Sequence, residues 1–276
     1  MRDLIIVRGG GDLATGAVQK FYRAGFRVLV LETGNPTTIR RTVSLSEAIF
    51  SGYSEVEDLR CRKIESVSQI EDTWKKREIP IMVDPSGASI YMLKPRGVID
   101  AIIAKKNLGT NREMAEITIG LGPGFTAGID VDAVIETKRG HTLGKVIFEG
   151  RAIENTGVPG IVEGYGKERV IHAPTYGKLL PEKSIGDKVL KGEILFFIEN
   201  ENEKKGVAAP FSGLLRGLIN PKIPIKKGLK IADIDPRIDA NWKTISDKAR
   251  AVGGGALEAY LYLRNNKGGN HGLGCT

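Results

Sequence analysis

The run Arg8-Gly9-Gly10-Gly11-Asp12-Leu13-Ala14-Thr15-Gly16 has the residue types and spacing of a phosphate cradle. Gly9, Gly11 and Ala14 fit G-x-G-x-x-A. Glycines allow a tight turn and a close approach of backbone to a pyrophosphate. A small residue at the last position lets a helix sit against a strand. Backbone N–H groups at the helix start, helped by the helix dipole, then face the phosphates. The flanking pattern agrees. Leu4-Ile5-Ile6-Val7 reads as a buried strand, and residues 13–22 carry apolar side chains at helical spacing. A second apolar run, Val28 to Leu31, ends in Glu32. That is about 20 residues past the glycines, where an acidic side chain holds ribose hydroxyls. The expected cradle is therefore Gly9, Gly10, Gly11, Asp12, Leu13 and Ala14, with Glu32 on the ribose. Asp12 sets a carboxylate where it would repel an anion, and Arg8 is the nearby cation that could offset it. The competing reading is a tight strand-to-helix turn without a ligand.

Further candidates follow along the chain. Arg40 and Arg41 fall just beyond the ribose position and suit bidentate contact with a phosphate or carboxylate. They read equally well as a solvated pair at a helix start. Three more apolar runs end in polar loops: one at Asp84, one at Lys105-Lys106-Asn107, and one at a second glycine loop containing Gly122 and Gly124. Ligands of open α/β sheets bind outside the carboxyl ends of strands, so these loops are expected to line one crevice with residues 9–16. His141 sits beside a glycine turn, basic residues and carboxylates. It is a weak candidate for a general acid/base, against a plain hydrogen-bonded loop histidine.

The elements that must position these residues are set by bulk properties. The 276 residues carry a net charge of +8, which suits anionic ligands. No dense basic stripe with interleaved aromatics is present, so nucleic acid is not an expected partner. No apolar run approaches the ~20 residues of a membrane span. The first three residues lead straight into a strand, which reads as no signal peptide. With three histidines and two scattered cysteines, Cys61 and Cys275, neither a closed zinc site nor a disulfide framework is expected, and a reducing cytoplasm is.

Residues 1–165 read as a Rossmann-like nucleotide-binding part, with a turn-rich hinge near its end. Residues 166–238 contain an internal repeat. Ala173-Pro174-x-x-Gly177-x-Leu179 recurs as Ala209-Pro210-x-x-Gly213-x-Leu215, and Val189-x-Lys191-Gly192-x-x-Leu195 as Ile225-x-Lys227-Gly228-x-x-Ile231, all at one offset. Two equivalent sets of short strands about a pseudo-twofold axis are expected. This resembles the biotinyl/lipoyl-type barrel-sandwich hybrid. Its hairpin lysine has counterparts in Lys204 and Lys205, but the flanking methionines are missing, so neither biotin nor lipoate is expected. Residues 239–264 read as a helix capped by Ser246, packing on the first part, and residues 265–276 as a loose tail. Three glycines inside that helix cost about 1 kcal/mol each against alanine, which calls for tight packing or a nearby ligand. The expected fold is thus α/β: a Rossmann-like sheet with helices, a smaller all-β barrel-sandwich-like domain and a C-terminal helix.

The ordered motifs, residues 7–16, 39–44, 121–128, 136–141, 155–157, 233–237 and 246–254, resemble the YqeB-type accessory proteins of the selenium-dependent molybdenum hydroxylase system. The first part is also similar to XdhC-type maturation factors. The resemblance implies a maturation factor with a molybdenum hydroxylase as client, and a nucleotide or dinucleotide as ligand, either the molybdenum cofactor dinucleotide or NAD. It carries no catalytic residue over. The alternatives are an NAD-dependent oxidoreductase of the same pathway and a non-catalytic scaffold.

Overall fold

The computed structural model describes residues 4–154 and 160–267. All of the hinge expected at residues 155–160 except Gly160, together with His271 and Cys275, lies outside them.

Strands β1 (Leu4–Arg8) and β2 (Arg27–Glu32) flank helix α1 (Asp12–Arg23). Then come α2 (Ala48–Ser51), β3 (Tyr53–Val56), β4 (Leu59–Lys63), α3 (Ile70–Lys75), β5 (Ile79–Val83), α4 (Ala88–Leu93), β6 (Gly97–Asp100), β7 (Ile117–Leu121), β8 (Ala133–Ile135) and β9 (Val146–Ile147). These strands form one sheet in the order β3-β4-β5-β2-β1-β6-β7-β8-β9. The run from β4 to β8 is parallel, and β3 and β9 are antiparallel edges. The central strands are buried on both faces, which is why they read as continuous apolar runs. Ile5 and Val7 enter the core under α1, while Leu4 and Ile6 enter the core on the opposite face.

The second region comprises β10 (Val170–His172), β11 (Lys178–Pro181), β12 (Lys188–Val189), β13 (Ile194–Glu199), β14 (Lys204–Ala208), β15 (Gly213–Leu218) and β16 (Lys230–Asp235). They make a four-stranded sheet, β10-β16-β15-β12, and a three-stranded sheet, β11-β13-β14. The internal repeat is visible in reciprocal bonds. Ala173 N–H donates to Leu229 O at 2.8 Å, and its counterpart Ala209 donates to Glu193 O at 2.9 Å. Gly177 bridges Ile225, and Gly213 pairs with Val189. Each half thus completes the other.

The expected fold class needs correction. The large sheet is mixed, with antiparallel strands at both edges, and the crossovers from β6 to β7 and from β7 to β8 hold no α-helix, only a 3-10 turn at Arg112–Met114. The face left open there is closed by the last helix, α5 (Asp247–Lys267), which packs along α1 and over β7, β8 and β9. The β region is not a self-contained barrel-sandwich either. Its core takes in Ile39 and Phe50 from the first region. Leu218 N–H also bonds Ile39 O at 2.8 Å. The physical reason is burial: the apolar faces of both regions are too open to be covered by their own elements, so distant segments cover them.

Helix α5 explains its own glycines. A Cβ on Gly16 would overlap the Ala249 carbonyl, one on Gly253 the Gly16 carbonyl, and one on Gly255 the Gly144 carbonyl. Small residues let the two helices and a loop touch backbone to backbone. Beyond this seam, Phe21, Phe26 and Tyr260 pack edge to face, with ring centroids 5.1–5.7 Å apart.

Candidate anion-binding site

The glycine loop joins β1 to α1 as its pattern requires, but its glycines have separate tasks. Gly9 adopts φ +96°, and a Cβ there would lie 2.8 Å from Ala101 O. Gly10 is held on both sides. Its N–H donates to Glu32 Oε2 at 2.8 Å, and its carbonyl accepts from Ser46 N–H at 2.8 Å. Gly11 is the N-cap of α1, and only Thr38 Oγ1, at 3.6 Å, stands near where its Cβ would be. Leu13 and Ala14 are buried in the first turn.

Glu32 turns inward. Its second oxygen accepts from Thr33 N–H at 2.7 Å, so both carboxylate oxygens serve the chain's own backbone. Burial raises its pKa, although these two bonds oppose the shift. Arg8 does not serve Asp12. It points to the face of the sheet opposite α1, where it is buried with Thr110 and lies 3.5 Å from Asp100. The parity of a strand decides this: Arg8 shares its side with Leu4 and Ile6.

Asp12 finds its cation elsewhere. One oxygen accepts from Leu13 N–H at 2.9 Å, and the other lies 3.4 Å from Arg40 Nη1. Arg40 is 11% exposed, and its Nε is buried with no hydrogen-bond partner. Burial lowers its pKa, with Asp12 opposing and Arg216 reinforcing. Lys248, on the first turn of α5, is half-buried. Its burial likewise favours the neutral amine, with Asp12 opposing and Arg139 reinforcing. Among the described residues its amine forms no hydrogen bond or ion pair. Behind Arg40, β16 presents Asp233 and Asp235, two residues apart and so on one side of the strand. Arg216 reaches both, at 2.7 and 3.1 Å, and Arg237 reaches Asp235 at 2.8 Å. Arg169 stands 3.8 Å from each.

The start of α1 thus carries Arg40, whose Nε lacks a partner, against Asp12. Helix N–H groups and a guanidinium can together hold an oxyanion.

Other expected site residues are engaged locally. Arg41 donates to Leu218 O at 2.7 Å and to Glu47 at 2.8 Å, tying the two regions together. Asp84 caps the turn into α4, accepting from Ser86, Gly87, Ala88 and Ser89. Its pKa stays low despite burial, because the Ser89 bonds and their neighbours outweigh it. Gly122 (φ +82°) bonds Ile135 O at 2.8 Å and sits against Thr137. Gly124 (φ +110°) packs on the Lys106 backbone. Lys105 is exposed. The carboxyl-end loops do converge, but largely by packing on one another. His141 is exposed on the turn after β8, without a hydrogen bond to a carboxylate among the described residues. Cys61 is fully buried in β4, and burial pushes its thiol far up, away from the reactive thiolate. Among the described residues no cluster of His, Cys, Asp or Glu is suited to a metal ion.

Reading the sequence misses Arg216 and Arg169, and it assigns no role to Asp233 and Asp235 although both lie within the 233–237 motif. One signal was present: two aspartates at i and i+2 inside an apolar strand, followed by Pro-Arg, are unusual in a core strand.

No family model matches the chain. Among solved structures, similarity is reported to the product-bound ectoine utilization protein EutE (DoeB) from Ruegeria pomeroyi. The identity is 11%, covering 84% of this chain and 85% of that one, with a TM-score of 0.27. An aspartoacylase family protein from Mesorhizobium loti gives 10% identity, coverage of 86% and 85%, and a TM-score of 0.28. Scores this low support no argument about fold or chemistry. The sequence relationship is far stronger. The chain is 48% identical over 261 residues to the uncharacterized protein YqeB of Escherichia coli (strain K12). The similarity covers 94% of this chain, which spans about half the length of that relative, 48%.

Proposed function

We propose that this chain is a cytoplasmic accessory factor in the maturation of selenium-dependent molybdenum hydroxylases, with such a hydroxylase as its client. In this reading it binds a nucleotide or dinucleotide beside the Gly9–Gly16 loop, the dinucleotide form of the molybdenum cofactor being the leading candidate. The YqeB-like sequence supports the family half of the reading. The ligand half rests on one observation: Arg40 is held against Asp12 at the start of α1 with a buried, unpartnered Nε. A buried donor without an acceptor costs roughly 1–3 kcal/mol, and an incoming phosphate oxygen would remove that cost. On binding, Arg40 would exchange its 3.4 Å contact with Asp12 for the phosphate, while Gly11 leaves the first turn of α1 accessible.

The test is mass spectrometry of small molecules released on denaturing protein purified from cytoplasm, followed by titration of whatever is found. A pterin dinucleotide is the expected result. Nicotinamide would point instead to redox chemistry, and an empty protein that also fails to bind added dinucleotides would leave a scaffold. Gly11→Val is the matching variant. Gly11 has φ −67°, a conformation open to valine, so the fold should survive. Binding should fall at least about tenfold as the new side chain blocks the approach to the helix start; unchanged binding would remove the loop from the site.

A further inference from the structure

The two halves of the internal repeat give equivalent strands opposite surroundings. At the offset of the repeat, β13 corresponds to β16, β11 to the body of β15, and β14 to β10. Phe197 then corresponds to Asp233, Leu180 to Arg216, and Ile194 to Lys230. In the second half this face is shut. Arg216 and Arg169 lie on Asp233 and Asp235, and both carboxylates are buried. In the first half it is open. Leu180, Phe197 and Gly206 are cross-strand neighbours, so they share one side of the β11-β13-β14 sheet. A Cβ on Gly206 would lie 3.2 Å from both Ile194 Cδ1 and Phe197 Cε1, which places Ile194 on that side too. Ile194 is 37% exposed, and Gly206 and Ala208 are exposed. Lys230, at the place equivalent to Ile194, is exposed as well, so the strand itself accepts a lysine there. The neighbouring row across the sheet is Lys178, Glu199 and Lys204. Lys204 Nζ stands 4.7 Å from the centre of the Phe197 ring, and neither lysine forms an ion pair among the described residues. Strand β14 is paired with β13 alone, so among the described residues its other edge has no strand partner.

We propose that β14 receives an extended segment of a partner protein as an added strand, one that carries an acidic residue and apolar residues at alternate positions. An added strand turns every second side chain to this face while its main chain pairs with β14. The side chain beside Lys204 meets an unpaired ammonium, which calls for a carboxylate. Those beside Gly206 and Ala208 meet Phe197 and Ile194, which calls for apolar groups. The other half shows the same logic satisfied internally: its cations lie on Asp233 and Asp235, and the first half has Phe197 where Asp233 would be. Glu199 remains, one strand further in, and Glu201 and Glu203 lie in the hairpin before β14. A second copy paired through its own β14 would add Lys204 and Lys205 to the same ribbon and no carboxylate from that strand, so like charge disfavours it.

Fluorescence anisotropy of the full chain with labelled Glu-Thr-Val-Thr-Val-Thr and Lys-Thr-Val-Thr-Val-Thr peptides, each also in reversed order, tests this. In the favoured order the acidic peptide should bind at least about tenfold more tightly than the basic one, and Lys204→Glu should reverse the preference. Ile194→Lys copies the residue at the equivalent place in the second half, so it should fold, as thermal melting checks, and lose at least about tenfold in acidic-peptide binding. If the parent binds neither peptide, or both alike, the lysines of β14 only guard the edge against pairing, and the proposal falls. It falls equally if Ile194→Lys binds as the parent does. A dimer in light scattering that Ile194→Lys dissociates would give the face to a second copy and overturn the acidic segment. None of these outcomes bears on the anion site at α1.

Discussion

Two stretches of the same small-residue chemistry end in opposite states. Along the α1–α5 seam, Gly16, Gly253 and Gly255 are packed so closely that a methyl group has nowhere to go. At the mouth of the glycine loop, a Cβ on Gly11 would meet only Thr38 Oγ1, at 3.6 Å, and Arg40 Nε beside it lacks a partner. One end of the motif that suggested a ligand is pure helix packing. The other end is the part still free to meet one. A glycine is informative only once its neighbours are known, since the missing Cβ serves a backbone contact and a ligand contact equally well.

The largest effect should come from filling the seam. Gly253→Ala drives a methyl into the Gly16 carbonyl, and overpacking of this kind should cost about 3 kcal/mol in urea unfolding. A loss below about 0.5 kcal/mol would mean that the helices separate readily and the seam is not rigid. Next is the mouth. Asp12→Asn removes the carboxylate that Arg40 contacts at 3.4 Å, so anion binding should tighten about three- to tenfold by titration. Weakened binding would show that Asp12 orients Arg40 rather than opposing the ligand. Gly254→Ala separates the two glycine roles within three residues. Nothing lies within 4 Å of a Cβ there, so the variant should gain about 0.5–1 kcal/mol from helix propensity. The smallest effect concerns Glu32. Its carboxyl is raised above 4.5 by burial, so the folded state holds its proton more tightly than the unfolded chain. Stability should therefore fall as pH rises from about 4.5 through the raised folded value. Glu32→Gln should flatten that slope in unfolding series taken across pH; an unchanged slope would assign it to other groups.

The strand–glycine–helix opening was legible because each part has a local cause. β-branched runs suit a doubly buried strand, and glycines allow the tight turn after it. The reciprocal repeat of residues 173–195 and 209–231 was legible too, because equal offsets leave equal turns. The sheet's mixed edges were not, since β3 and β9 are short and only partly apolar. Nor was the sharing of Ile39 and Phe50 with the β region, because those residues read as an ordinary loop and helix. Glu32 shows the limit most sharply. Its position at the end of β2 was correctly read, but local pattern does not show whether the carboxylate turns out to a ligand or in to Gly10.

By itself the sequence determined the local elements, the internal repeat and the likeness to YqeB, because propensity, periodicity and identity are carried by neighbouring residues. Tertiary structure alone decided which charges meet. Arg8 was sent away from Asp12 by strand parity, Arg41 was tied to the β15 backbone, and Arg40 was set 3.4 Å from Asp12, 28 positions away in the chain. Charge pairing depends on distances through space, and those are set by how α5 and the β region close over the sheet.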